Sequence, residues 1–376
     1  MASIAPDWLR VQISLTWFER YSSRVENYHL PKDPTQRETL AAQIGSDGFQ
    51  LLSAVYHPES PNWLRHVPAV QILRRVWLQQ YYAPQPDCPV RWRESKDAPP
   101  PGKLIHSPYD PQARYATKHN LHWVGYKVHL TETCDADCPH LITHVETTLS
   151  SVPDYAVTDT IHQSLDAKDL LPSQHVLDGG YVDAQNLVNS QQLDIQLISP
   201  VRSDSSWQAH AAQGFDVAHF AIDWNQHQAT CPQGQVSTKW QPALNRMGED
   251  IIHVRFAKTT CLACPLRATC TKAVSEPREL TLFPYPQHMA LQAARQFQET
   301  PLFKQLYNSR SGIEGTFSQS LRLHDLRHAR YIGLKKTHLQ HIFTALAINI
   351  ARALAWLSGL ELAQTRTSHF AALAPS

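Results

Sequence analysis

Eight prolines crowd the stretch from Pro84 to Pro111, at positions 84, 86, 89, 99, 100, 101, 108 and 111. Each fixes φ and removes an amide donor, so the stretch suits neither a helix interior nor a central strand. It reads as a linker over 83–112, and the hydrophobic period differs on its two sides. Residues 1–82 read as a helical region, with Val70, Leu73, Trp77 and Tyr81 forming a stripe at helical spacing. Beyond the prolines the period becomes two. Tyr126, Val128 and Leu130 alternate with Lys127 and His129, and Leu141, Thr143 and Val145 alternate with Ile142, His144 and Glu146, which predicts a hairpin or meander of half-buried strands. A helix from Asp154 to Leu170, a short apolar strand ending Val176-Leu177-Asp178, a helix near Ala184 to Val188 and a strand from Ile195 to Val201 follow. Residues 113–202 are therefore expected to form a mixed α/β layer.

Residues 203–286 change character again. Short alternating strands such as Phe220, Ile222 and Trp224, or Ile252, Val254 and Phe256, surround a group of cysteines and predict a β-rich insertion. Helices resume over 287–360, where Leu339, Phe343, Leu346, Ile350, Leu354 and Leu357 make a strong stripe for core or partner packing, and 361–376 is a short tail. With 376 residues, 42% of them hydrophobic and 10 of them Trp, the chain can build two or three cores. No run approaches the roughly 20 apolar residues of a membrane span, and Asp7, Arg10 and Arg20 interrupt any signal-peptide pattern, so a cytoplasmic location is expected. Seven cysteines, an odd number without a secretory signal, point to a reduced compartment and a metal site rather than a disulfide scaffold.

The net charge of +1 excludes little, but its distribution is uneven. Lys304, Arg310, Arg322, Arg327, Arg330, Lys335 and Lys336 face only Glu314 and Asp325 between positions 304 and 336, which suits either a solvated helix face or a phosphate-binding surface. Within that segment Tyr307, Arg310 and Glu314 lie three and four residues apart, so a helix would present all three on one face. The carboxylate can ligate a divalent cation, the guanidinium can grip a phosphate with its two-pronged fork, and the phenol can orient either. An ordinary surface Arg–Glu pair has the same spacing. A second acid, Asp178, ends a short apolar strand before Gly179-Gly180-Tyr181, a place where turn formers and active-site acids both occur. Cys261-x2-Cys264-x5-Cys270, with Cys231 upstream, can surround one tetrahedral zinc ion, hold an iron–sulfur cluster, or remain as buried thiols. Cys134-Asp135-Ala136-Asp137-Cys138 beside His140 reads as an exposed acidic turn between strands, and no role is assigned to His324, His328, His338 or His341.

The pattern Tyr307-x2-Arg310-x3-Glu314 resembles the Tyr-Arg-Glu signature of DDE transposases from bacterial insertion sequences, and Asp178-Gly-Gly-Tyr181 resembles their second catalytic Asp. The stretch from Ser107-Pro-Tyr-Asp110 through Gly125-Tyr126-Lys127 to Leu130-Thr131-Glu132, with Ser311-Gly-Ile-Glu314-Gly-Thr-Phe-Ser, is similar to the insertion-sequence group numbered eleven-eighty-two. The resemblance implies an α/β, RNase H-like catalytic core in which three acids hold two Mg²⁺ ions for DNA strand cleavage and transfer at element ends. Asp178 and Glu314 would be two of the acids, supported by Tyr307 and Arg310. Arg322, Arg327, Arg330, Lys335 and Lys336 become candidate contacts to double-stranded DNA of element ends and target. The insertion would help order those ends, and paired subunits would act on two of them. The signature's usual Lys seven positions after the Glu is Leu321 here, with Arg322 adjacent. The first acid, expected on a strand in an Asp-Ser-Thr or Asp-Gly-Thr context, has no counterpart. Asp110 is the tentative substitute, although Pro108-Tyr-Asp-Pro111 reads as a turn. The chain thus resembles a transposase shortened at its N-terminus, and the alternative is an inactive DNA-binding relic or regulator of an intact transposase.

Overall fold

A computed structural model describes residues 1–23, 31–84, 88, 90–118, 120–135, 137–204, 206–211 and 214–360. The expected tail and the prolines at positions 86 and 89 lie outside these. The chain divides into two compact units: 1–128 with 147–151 and 328–341, and 129–146 with 152–327 and the remainder from 342.

The first unit begins with α1 (Pro6–Gln12), α2 (Leu15–Tyr21), α3 (Pro34–Val55) and α4 (Pro68–Gln80). Pro stands in the first turn of α1, α3 and α4, where its missing N–H is not needed, and the Asp33 carboxylate caps α3 by accepting from the Gln36 amide at 2.9 Å. Ala5, Leu52, Val55, Leu64, Val67 and Val70 form the core, with Leu73 and Trp77 packed against it. Gly48 permits the contact of α3 with α4, because a Cβ there would stand 2.0 Å from the Trp77 indole. The Trp77 ring N–H donates to the Gly45 carbonyl at 3.0 Å. The stripe from Val70 to Tyr81 is thus spent on this packing. The segment read as a linker is fastened to the same helix: Gln79 Nε2 donates to the Ile105 carbonyl at 2.7 Å, the Ile105 amide donates to Gln79 Oε1 at 3.0 Å, and Val90 and Ile105 are buried.

The strands β1 (Arg114–Lys118) and β2 (Leu121–Glu132) form an antiparallel hairpin, Arg114 opposite Gly125, and β3 (Ile142–Leu149) completes a three-stranded sheet in the order β1-β2-β3. In the second unit α5 (Thr158–Asp166) leads to β4 (Gln174–Val176), α6 (Ala184–Gln192) and β5 (Gln196–Ile198), and β4 pairs with β5 in parallel, as the helical crossover requires. The expected single layer is corrected here: among the described residues β1–β3 and β4–β5 are separate sheets. The parallel strands are only three residues long, which limits how far their hydrogen-bonding can extend. The hairpin's polar positions are not all solvated either, since His129 and His144 are buried. His129 Nδ1 meets the Tyr181 hydroxyl at 2.6 Å.

Next come α7 (Trp207–Ala211), the hairpin β6 (Ala221–Asp223) and β7 (Gln228–Thr230), β8 (Lys239–Leu244), β9 (Asp250–Arg255), α8 (Lys258–Leu262), α9 (Arg267–Cys270) and β10 (Glu279–Leu282). The order β10-β9-β8 is antiparallel, and Phe220, Ala229, Val254, Phe256, Leu280 and Leu282 form its small core. The chain then continues as α10 (Tyr285–Gln298), α11 (Pro301–Tyr307), α12 (Ser311–His324) and α13 (Leu334–Leu357).

A polar cluster in the second unit ties three of these elements together. Glu132, 6% exposed, accepts from the Thr316 hydroxyl of α12 at 2.5 Å and from Arg352 Nη1 of α13 at 2.9 Å, and Arg352 Nη2 donates to Thr316 Oγ1 at 2.5 Å. Asn349 completes the attachment of α13 by pairing with both the amide and the carbonyl of Ile142, each at 2.8 Å. The predicted α13 stripe does not enter the chain's own core: Leu339, Phe343, Leu346, Ile350, Leu354 and Leu357 are 50% to 80% exposed, whereas Ala345 and Ile348 are buried.

Removing one partner of a buried ion pair strands the other, so Arg352→Met should cost about 3–5 kcal/mol. Urea unfolding of the full chain checks this, and an unchanged midpoint would show that Glu132 does not depend on Arg352. His162 Nε2 and His175 Nδ1 meet at 2.9 Å inside the second unit. Burial lowers both pKa values, that of His175 to about 3. The fold therefore holds both rings neutral, while the unfolded chain takes up protons below its ordinary histidine pKa near 6.5. Stability should be full above that pH and fall steadily as pH drops towards 3. A melting temperature recorded across that range should decline less in a His162→Gln, His175→Gln double variant.

Candidate active site

The Tyr-Arg-Glu segment is not one continuous α-helix. α11 ends at Tyr307, a 3-10 turn covers Asn308–Arg310, and α12 starts at Ser311. The Ser309 hydroxyl donates back to the Leu306 carbonyl at 2.7 Å, a local bond of the kind that competes with regular helix. The three side chains still meet. Arg310 Nη2 donates to Glu314 Oε1 at 2.7 Å, its guanidinium carbon lies 5.7 Å from the Tyr307 ring centre, and that ring stacks on Phe303 at 5.4 Å. Glu314 is 63% exposed and Arg310 26%. The opposite side of α12 is committed inward, since Thr316 and Ser320 are fully buried and a Cβ on Gly312 would stand 3.4 Å from the Glu132 carboxylate. Glu314 accordingly belongs to the solvent face, where an exposed pair of this spacing contributes only about 0.3–0.5 kcal/mol.

Asp178 follows β4 and precedes the 3-10 turn Gly179–Tyr181. Its carbonyl accepts from the Tyr181 amide at 2.9 Å, while its exposed carboxylate makes no capping bond. Gly179 is required by close approach, because a Cβ there would sit 2.8 Å from the Pro200 carbonyl oxygen at the end of the neighbouring strand. The Tyr181 carbonyl is held by the Thr158 hydroxyl at 2.7 Å and by Asn186 Nδ2 at 3.0 Å. Burial pushes the Tyr181 phenol well above its ordinary pKa, and the charges of Asp154 and Asp178 add to the shift. Asp154 approaches the same turn, 3.5 Å from where a Gly180 Cβ would lie. Sequence reasoning missed Asp154, whose only local signal is its place after Pro153 at the start of a turn.

The acids named from sequence occupy separate elements. Among the described residues, no group of three or more His, Cys, Asp or Glu side chains is gathered closely enough to hold a metal ion. Asp110, in the first unit, accepts from the Tyr126 hydroxyl at 2.7 Å, the Gly333 amide at 3.1 Å and the Gln112 amide at 3.1 Å. Those three donors engage both carboxylate oxygens, and the bond from Gln112 is that of an Asx turn. Tyr126 is in turn kept protonated by burial and by Asp110, which raise its pKa.

Arg322, Arg327, Arg330, Lys335 and Lys336 are all exposed. Helix α12 stops at Asp325, whose φ of +52° reverses the chain, and Leu326 is buried immediately after it. In the first unit the Arg330 amide donates to Gln340 Oε1 and Gln340 Nε2 donates to the His328 carbonyl, each at 2.9 Å, fixing the loop before α13.

Cys231, Cys261, Cys264 and Cys270 all line one cavity of about 310 Å³, shared with Arg267 and Arg278. Cys134 and Cys138 are exposed, in keeping with an acidic turn. No helix among the described residues is long and apolar enough to cross a membrane.

Residues 230–354 match the family model described as the transposase DDE domain. The matched segment contains the four clustered cysteines and the Tyr307–Glu314 trio and begins after Asp178. No curated protein and no solved structure matches the chain. The matched domain, about a third of the chain, supports a transposase of the DDE type.

Proposed function

We propose that the chain is a DNA transposase with an RNase H-like core, similar to the insertion-sequence group numbered eleven-eighty-two, that cuts and transfers strands at element ends. The observation that carries this reading is the Tyr307, Arg310 and Glu314 trio, which comes together inside the segment matched to the DDE domain. Asp178 and Glu314 would supply the metal ligands. Both are exposed carboxylates, and such oxygens suit Mg²⁺, which keeps several waters and takes one or two carboxylates together with substrate phosphate. When bound, Mg²⁺ activates the attacking hydroxyl or water and stabilises charge on the leaving oxygen.

The chain's own residues do the remaining work. Arg310 holds Glu314 in place and has donors to spare for a phosphate oxygen, since only one of its bonds goes to that acid. Tyr307, stacked between Phe303 and the guanidinium, limits the angles Arg310 can take. Arg322, Arg327, Arg330, Lys335 and Lys336 would neutralise the DNA backbone, and Arg322 would take the phosphate contact of the signature's missing Lys. Two copies acting on two element ends is the assembly this reading calls for.

Glu314→Gln removes a ligand while keeping the side chain's shape. With Mg²⁺ or Mn²⁺ and a labelled duplex carrying the DNA that flanks its own coding sequence, the variant should lose strand cleavage and retain binding. Equal cleavage by the variant would falsify the assignment. Binding without cleavage by the unaltered chain would favour the other reading, a DNA-binding regulator of an intact transposase. For that duplex, Lys335→Ala with Lys336→Ala should flatten the dependence of log affinity on log salt by about 0.9 for each phosphate that is no longer neutralised. An unchanged slope would remove these lysines from the interface.

A further inference from the structure

Four cysteines, one from the turn after β7 and three from the α8–α9 segment, reach one cavity of the β-rich region. Cys231 opens the tight turn after β7, where its amide donates to the Gln235 carbonyl and its carbonyl accepts from the Gly234 amide, each at 2.8 Å. Cys261 lies in α8, and the Cys264 amide donates to the Cys261 carbonyl at 3.4 Å. Cys270 ends α9, its carbonyl held by Gln208 Nε2 at 2.8 Å. None of the four is in a disulfide. Arg267 ties Cys261 to the chain that follows Cys270 by donating to the carbonyls of Cys261, Ala273, Val274 and Glu276 at 2.6 to 3.3 Å.

We propose that these four thiols are the ligands of one structural zinc ion that staples the β6–β7 hairpin to the α8–α9 segment. Two observations beyond the cysteines' convergence support it. The first is the size of the core: six buried residues, with nine half-buried neighbours that include Cys231, Cys261 and Cys270, hold five short strands, and regions this small commonly need a metal or a covalent cross-link. The second is Arg278, which lines the same cavity and whose Nε is buried without a hydrogen-bond partner. Four thiolates around a divalent ion carry a net negative charge, and such a centre compensates a half-buried guanidinium whose Nη2 donates to the Phe215 carbonyl at 3.3 Å while its Nε has no acceptor. An all-sulfur, four-ligand shell is the structural type of zinc site. The thiols ring the cavity rather than already clasping an ion, so metal uptake draws the Cys231 turn and the Cys261–Cys270 segment together and contributes to the folding of this region. The inference stands apart from the catalytic reading, because none of the four cysteines belongs to the Tyr-Arg-Glu trio or to Asp178.

The full chain, purified without chelator, is analysed for zinc, iron and acid-labile sulfide beside Cys264→Ser, Cys270→Ser and the controls Cys88→Ser and Cys138→Ser. The expected result is about one zinc per chain, retained in both controls and lost in both cluster variants, with a lower melting temperature after chelation that zinc restores. Absence of stoichiometric metal, retention of zinc in the cluster variants, or iron with sulfide in its place overturns the proposal. If a cluster variant fails to fold, cobalt substitution of the unaltered chain decides instead. Intense thiolate-to-cobalt charge-transfer bands support four-sulfur coordination, and weak bands of octahedral cobalt overturn it.

Discussion

A carboxylate with almost no access to water, Glu132, fastens the end of β2 to the helices α12 and α13 in the second unit. It lies at the end of β2, and its two strongest partners come from α12 and α13, separated from it by 184 and 220 residues in sequence. Burying a charge is costly unless it is paired and its remaining lone pairs are satisfied, and here Arg352 pairs it while Thr316 both donates to it and accepts from Arg352. The three groups are mutually dependent, so their cost and gain cannot be assigned one residue at a time. Because the cluster engages one face of α12, it also decides which face is left for solvent.

That decision separates two ion pairs of different kinds. Glu132 and Arg352 are enclosed, and losing either partner leaves an uncompensated charge. Arg310 and Glu314 face outward, where water screens them and the pair contributes little to stability. An exposed pair can exchange partners, with a phosphate replacing the carboxylate on the guanidinium and a cation replacing the guanidinium on the carboxylate. The fold therefore supplies rigidity through the enclosed pair and leaves the chemically versatile one available.

The legible parts of the sequence were those written locally. The α4 stripe, the β2–β3 hairpin, the β4–α6–β5 order and the Tyr307–Glu314 cluster all depend on spacings within a few turns or strands, and each element exists near its expected place. The 3-10 turn at Asn308–Arg310 was missed because a serine hydroxyl bonding to a nearby carbonyl leaves no periodic signal. Asp154 was missed for a different reason: its approach to Gly180 crosses from one turn to another and appears only when both are folded. The pairing of Asn349 with Ile142 across 207 residues was equally invisible. Strand alternation left the surroundings of His129 and His144 open, because period two identifies opposite faces without saying whether the second is covered.

The same limit applies to α13. Its spacing establishes that one face is apolar, and the structure shows that the buried residues, Ala345 and Ile348 with Thr337, Gln340 and His341, are none of the residues of the predicted stripe. The helix is attached through Ala345 and Ile348, which pack with Ile142, and through polar groups: Arg352 to Glu132, Asn349 to the Ile142 backbone, and, in the first unit, His341 Nδ1 to the Thr147 hydroxyl at 2.8 Å. A polar attachment specifies register more sharply than apolar contact, since each bond is satisfied at one position only and its loss strands a buried group. The orientation of α13 therefore follows from where its few buried hydrogen-bonding side chains can be matched, and the larger number of leucines and isoleucines facing solvent follows from that orientation rather than determining it.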